Sequence, residues 1–140
     1  MGEINQVRCK KCGYFAKTRS GPGFSLFQEI SRTKGAILNG EIENEEAFHC
    51  LKNGGKLSAV AAYLCPKCKI FTTNNQMYCL TDFTVSPYGT IHFEVVYPFG
   101  KPQCEICNSE LLYIQNIRSS KVKCPKCGGE LISRLSGYYD

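Results

Sequence analysis

Ten of the 140 residues are cysteines, and eight of them fall into four copies of one four-residue hook, Cys-x-x-Cys: Cys9/Cys12, Cys65/Cys68, Cys104/Cys107 and Cys124/Cys127. A tight turn carrying two sulfurs supplies half of a tetrahedron, and a second turn from elsewhere in the chain completes it. Four hooks therefore suit two four-thiolate metal sites, with two zinc ions as the expected occupants. Between Cys107 and Cys124 lie 16 residues, a spacing that favours pairing the third hook with the fourth. Between Cys12 and Cys65 lie 52 residues, so pairing the first hook with the second requires a long insertion. The rival arrangement nests the sites, Cys9/Cys12 with Cys124/Cys127 and Cys65/Cys68 with Cys104/Cys107, and loop entropy grows too slowly with length to exclude it. A disulfide framework is the competing chemistry, but evenly repeated Cys-x-x-Cys pairs chelate better than they bridge.

Such a count of free thiols fits a reducing compartment, and a cytoplasmic location is expected. The N-terminal residues Met1 to Arg8 contain no apolar signal core, Gln6 stands where a myristoylation signal needs Ser or Thr, and no stretch reaches the length of a membrane span. The chain is long enough for one domain or two very small ones, a size at which a metal staple offsets a thin core. Structural zinc contributes on the order of 10 kcal/mol or more to such modules.

The formal net charge of +5 falls to +1 once eight thiolates and two divalent cations are included. Arg8, Lys10, Lys11, Lys17 and Arg19 surround the first hook, Lys67 and Lys69 the second, and Lys121, Lys123 and Lys126 the fourth. A zinc ion bound by four thiolates carries a local charge of about −2, which flanking lysines compensate. The functional alternative is a phosphate-contacting face made by Arg8, Lys10, Lys11, Arg19, Lys121 and Lys123.

The elements that must position the hooks read as mostly β. Gln6 to Arg8 and Tyr14 to Lys17 form the arms of a hairpin turning at the first hook, with Gly13 free to take positive φ. Ser20-Gly21-Pro22-Gly23 opens an insertion, about residues 20–56. In it Phe24, Phe27 and Ile30 share a face of a short helix ending near Gly35, and Asn44 caps a second helix with Glu45 and Glu46 in its first turn, Phe48 and Leu51 inward, and Gly54 as its stop. Leu57 to Leu64 is the strand that feeds the second hook. Tyr78 to Val85 and Thr90 to Tyr97 flank the turn Ser86-Pro87-Tyr88-Gly89 as an extra hairpin, 78–97. Pro98 to Pro102 interrupts the pattern, dividing an N-terminal region, 1–98, from a C-terminal one, 99–140. In the latter, Glu110 to Ile114 and Leu131 to Leu135 are strands.

Cys104-Glu105-Ile106-Cys107 with Cys124-Pro125-Lys126-Cys127-Gly128-Gly129 resembles a zinc ribbon, and Cys9-Lys10-Lys11-Cys12-Gly13-Tyr14 resembles the first knuckle of a rubredoxin-type site. The resemblance covers the C-terminal 40 or so residues and the first 20 or so, not the insertion. It implies structural zinc on short antiparallel hairpins, in two ribbon units of which the first is enlarged by the helix-bearing insertion, and partners among proteins and nucleic acids. Rubredoxins hold iron for electron transfer in the same sulfur geometry. This chain has no Trp, and its first hook lacks a second at rubredoxin-like distance.

Outside the hooks, Cys50 and Cys79 read as small buried hydrophobes, and His49 and His92 as spare ligands should a hook lack metal. Asp82, His92 and Glu94 are the one conceivable acid-base cluster. With no phosphate loop, nucleophile elbow or HExxH helix, and with four complete cysteine pairs, the expected class is a non-enzymatic binding module for protein or nucleic acid. An iron electron carrier is the alternative, and a zinc-dependent enzyme a weaker one.

Overall fold

The computed structural model describes residues 2–80, 84–85, 91–92 and 95–140, with backbone alone at 84–85 and 91–92. The fold is mostly β, with two short helices among the described residues. It divides into two compact units that interleave along the chain: a hook-bearing unit of Met1–Phe24, Val60–Asn75 and Lys101–Asp140, and a second unit of Ser25–Ala59 and Gln76–Gly100. One crossing, Gly100 to Lys101, falls within the Pro98 to Pro102 segment.

The strands that bear the hooks follow one pattern used twice. In the first copy, β1 (Gly2–Cys9) runs into the first hook and β2 (Phe15–Ser20) returns antiparallel to it. In the second copy, β3 (Lys56–Cys65) runs into the second hook and β4 (Ile70–Leu80) leaves it. Each copy is completed by a strand that follows a later hook: β8 (Leu112–Ile114) follows the third and pairs with β3, and β9 (Leu131–Tyr139) follows the fourth and pairs with β1. The registers coincide. The residue before the first cysteine pairs with the fifth residue after the last, Arg8 with Ile132 in one copy and Leu64 with Leu112 in the other. The bridges Lys123 to Glu130 and Gln103 to Glu110 repeat the same correspondence. The sheets have the orders β2-β1-β9 and β7-β4-β3-β8, where β7 is Val95–Val96.

Period-two alternation explains which face each strand buries. Asn5, Val7 and Cys9 of β1 and Ala16 and Thr18 of β2 point inward, while Arg8, Phe15, Lys17 and Arg19 point out. The core of the unit joins Val7 and Ala16 of the first copy to Ala62 and Phe71 of the second, with Ile117 between and Tyr14, Leu64, Ile114, Val122 and Leu131 at its margin. The inner face of β2-β1-β9 thus packs on the face of the second copy that carries Ala62 and Phe71.

In the second unit, α1 (Phe27–Leu38) and α2 (Glu45–Lys52) pack together, and the buried residues are Ile30 and Ile37 of the one and Ala47, Cys50 and Leu51 of the other. The Asn44 cap is present, its side-chain oxygen accepting from the Ala47 N–H at 2.9 Å, and Gly54 follows the helix with φ 92°. The first helix differs from the sequence expectation. It passes through Gly35 to Leu38, and its buried stripe is Ile30 and Ile37, leaving Phe24 and Phe27 at 82% and 65% exposure. Residues seven apart share a helix face, so a longer helix selects Ile37 as the partner of Ile30. Cys79 and Leu80 pair with Val96 and Val95, and β5 (Thr84–Val85) with β6 (Ile91–His92), which places the expected hairpin; its turn at 86–89 lies outside the described residues. The C-terminal tail continues β9 as far as Tyr139 beside Gly2.

Candidate metal centres

All four hooks adopt one turn. After the second cysteine the chain enters the left-handed region, at Gly13 (φ 78°), Lys69 (56°), Asn108 (62°) and Gly128 (74°). The N–H of that residue returns to the carbonyl of the first cysteine, from Gly13 to Cys9 at 3.1 Å, Lys69 to Cys65 at 2.9 Å, Asn108 to Cys104 at 2.9 Å and Gly128 to Cys124 at 2.8 Å. This closure turns backbone N–H groups toward the sulfurs. Lys11 and Cys12 donate to Cys9 Sγ at 3.3 and 3.4 Å, Cys68 to Cys65 Sγ at 3.3 Å, and Lys126 to Cys124 Sγ at 3.4 Å. Such donors stabilise a thiolate.

The hooks meet in two tetrads, Cys9, Cys12, Cys124 and Cys127 in the first and Cys65, Cys68, Cys104 and Cys107 in the second, with all sulfurs of a tetrad within 4.8 Å of one another. The closest pairs are Cys9 to Cys127 at 3.4 Å, Cys12 to Cys124 at 3.6 Å, Cys65 to Cys107 at 3.4 Å and Cys68 to Cys104 at 3.9 Å. Metal–sulfur bonds of about 2.3 Å require a tetrahedron edge of about 3.8 Å, which these separations bracket. A disulfide needs about 2.05 Å, and all ten cysteines are free. The donor set therefore fits a single ion in each tetrad, held by Cys9, Cys12, Cys124 and Cys127 or by Cys65, Cys68, Cys104 and Cys107.

The electrostatics of each tetrad polarise its thiols. The Cys12 N–H, with help from Lys11 and Cys127, draws Cys9 down to about 6. Ser109, first through its hydroxyl and then its backbone N–H, does the same for Cys107, whose sulfur lies 3.3 Å from that hydroxyl. The Cys107 thiol in turn drives Cys68 up to about 12. At Cys127 the Gly129 N–H pulls downward, but Cys9, desolvation, Cys12 and Cys124 together carry it up to about 12. Four sulfurs this close cannot all ionise against their mutual repulsion unless a cation sits among them.

The pairing corrects the sequence reading, which joined the third hook to the fourth. Short spacing is a poor guide here because β8, in the 16 residues between them, is used to pair with β3. The hooks are of two kinds. Cys12-Gly13-Tyr14-Phe15 and Cys68-Lys69-Ile70-Phe71 each sit between two strands, whereas Cys107-Asn108-Ser109-Glu110-Leu111 and Cys127-Gly128-Gly129-Glu130-Leu131 each precede only one. Every tetrad takes one hook of each kind, and the repeated Glu-Leu after the third and fourth hooks was the available signal.

Two contacts that the sequence did not disclose tie the copies together. The Phe71 N–H donates to the Tyr14 hydroxyl at 2.9 Å, with the rings 6.0 Å apart, and Lys126 Nζ donates to the Cys68 carbonyl at 3.2 Å. Lys126, expected only as a counter-charge, thus links the fourth hook to the second. Lys10 meets Glu130 at 3.5 Å at the surface. His49 is exposed on α2 and belongs to neither tetrad, while Cys50 and Cys79 are buried beside each other, burial pushing Cys79 up to about 12. Asp82, Glu94 and the side chain of His92 lie outside the described residues.

No protein-family model, curated protein or solved structure matches this chain.

Proposed function

We propose that this chain is a non-enzymatic module in which two structural zinc ions, one in each tetrad, hold a repeated ribbon scaffold that presents binding surfaces to a macromolecular partner, protein or nucleic acid. The observation that carries the reading is the closure of each tetrad by four cysteines at tetrahedral spacing. A structural site is four-coordinate, and a catalytic one keeps a position for water. Thiolate donors at this spacing suit zinc, and a reducing compartment such as the cytoplasm keeps them available.

Charge supports a partner for the hook-bearing unit. That unit has 13 Lys and Arg against 5 Asp and Glu, and the other has 4 against 7. Two tetrathiolate zinc sites remove about four charges and leave the first unit near +4. No helix among the described residues is long and apolar enough to cross a membrane.

Native mass spectrometry of protein purified without added metal tests the reading. Two zinc ions per chain, with loss of β-structure by circular dichroism on removal with a strong chelator, is the expected result. A red, iron-loaded, redox-active protein would replace this reading with electron transfer. A native fold that survives complete chelation would contradict the structural role.

A further inference from the structure

The outer face of the β2-β1-β9 sheet carries charge and aromatic surface that the scaffold does not require. Across β1, Arg8 pairs with Phe15 on one side and Ile132 on the other, and Gln6 pairs with Lys17 and Arg134. Further along, Ile4 stands opposite Arg19, and Gly2 opposite Tyr139. A Cβ at Gly2 would collide with the Tyr139 ring, so this glycine lets the ring lie across the strand. From the Arg8 row to the Gly2 row is six residues, or about 20 Å of strand. Over that length the face carries four cations, Arg8, Lys17, Arg19 and Arg134, and an aromatic ring near each end.

Both rings have an arginine over them, Arg8 at 5.8 Å from the Phe15 centroid and Arg19 at 5.1 Å from that of Tyr139. Phe15 and Ile132 are 49% and 53% exposed. None of the four cations is held in an ion pair among the described residues. Arg134 is oriented by a neutral acceptor, Gln6 Oε1, at 3.0 and 3.2 Å, and Arg19 by Asn75 Oδ1 at 3.4 Å. Glu3, the sole acid of β1, points to the opposite face and meets Arg118 at 3.5 Å.

Compensation of the metal site does not account for this arrangement. Arg134 stands opposite Gln6 and Arg19 opposite Ile4, three and five residues from Cys9, or about 10 and 16 Å along β1 at a rise of about 3.3 Å per residue. Screening at physiological salt acts over about 8 Å. In the second copy the positions of Arg8, Lys17, Arg19 and Arg134 are occupied by Leu64, Thr73, Asn75 and Ile114, beside a tetrad of the same charge.

We infer that this face binds single-stranded nucleic acid, its cations following the phosphates while the exposed Phe15 ring stacks on a base. The inference deepens the binding-module reading and rests on it. An exposed ring gains from stacking only on unpaired bases. A duplex is disfavoured by shape, because its major groove, about 12 Å wide, admits a helix or a two-stranded ribbon but not the side of a three-stranded sheet.

The test is fluorescence anisotropy of the zinc-loaded full chain with labelled 12-nucleotide oligo-dT and oligo-rU, with a labelled duplex for comparison, and zinc counted by native mass spectrometry on every sample. Binding of either single strand, tighter than that of the duplex, is expected. Four phosphate contacts give a slope of log affinity against log salt of about −2.8, and Lys17→Ala moves it to about −2.1. Phe15→Ala weakens binding roughly 5- to 150-fold, the loss associated with one stacked base. Absence of binding at low salt in samples that contain two zinc ions would overturn the inference and leave the two-zinc reading intact. So would preference for the duplex, or a loss seen with Lys10→Glu and Lys123→Glu and not with Lys17→Glu and Arg134→Glu. Loss of zinc from the wild-type samples would instead count against the two-zinc reading.

Discussion

The residue after the second cysteine of each hook bears the conformational cost of the turn, and the four hooks meet it with different side chains. Gly13 and Gly128 reach positive φ freely; Lys69 and Asn108 hold the same conformation with a Cβ, at a cost of up to about 1–2 kcal/mol, smaller for Asn than for Lys. No atom lies within 4 Å of a Cβ built at Gly13 or Gly128, so the penalty for substitution there is purely one of backbone conformation. Gly13→Ala is therefore expected to lower stability by about 1 kcal/mol and Lys69→Gly to raise it by a few tenths to about 1 kcal/mol, read as shifts of the denaturation midpoint of zinc-loaded protein. Opposite signs, or a neutral Gly13→Ala, would contradict the common turn. The eight ligand candidates were legible from residue type and spacing alone, because a sulfur hook is a local device. The left-handed Lys69 and Asn108 were not, since neither side chain announces that conformation as glycine does.

At the scale of elements, the two copies act as one body through a small core in which Phe71 is 7% exposed and packs with Tyr14, Val7 and Ala16. Phe71→Ala should cost about 3–5 kcal/mol and loosen both metal centres together, because its ring packs on Tyr14, just beyond the first hook, while its own segment leaves the second hook. Competition with a chelator checks this: both ions should leave faster than from wild type, whereas loss of one with the other unaffected would show that the copies are independent. The strands that enter and leave the hooks could be read from alternation and from the interruptions that bound them. Their partners could not. β8 and β9 each follow one hook closely but pair with the strand that enters a hook far away in sequence, and β-pairing is set by which face must be buried, which spacing does not encode. The helix α1 was truncated in the sequence reading at Gly35, a glycine that the helix tolerates because the buried stripe of Ile30 and Ile37 holds it on both sides.

For the whole molecule, metal binding is coupled to protons. A cation that enters a tetrad makes thiolates of Cys68 and Cys127, which stand near 12, so protons are released and affinity rises with pH. Below about 6 Cys9 and Cys107 also take up protons, and the loss of metal steepens. Zinc affinity measured by chelator competition should rise at least about tenfold per pH unit between neutral and mildly alkaline pH, one factor of ten for each proton displaced. An affinity independent of pH would contradict the account. The central claim, that the scaffold is nested and metal-held with the first hook closing on the fourth and the second on the third, is tested by counting zinc in two double variants by native mass spectrometry. Cys9→Ser with Cys127→Ser disables one tetrad and should leave one ion per chain, while Cys9→Ser with Cys65→Ser disables both and should leave none. The reverse result, no zinc in the first variant and one ion in the second, would contradict it.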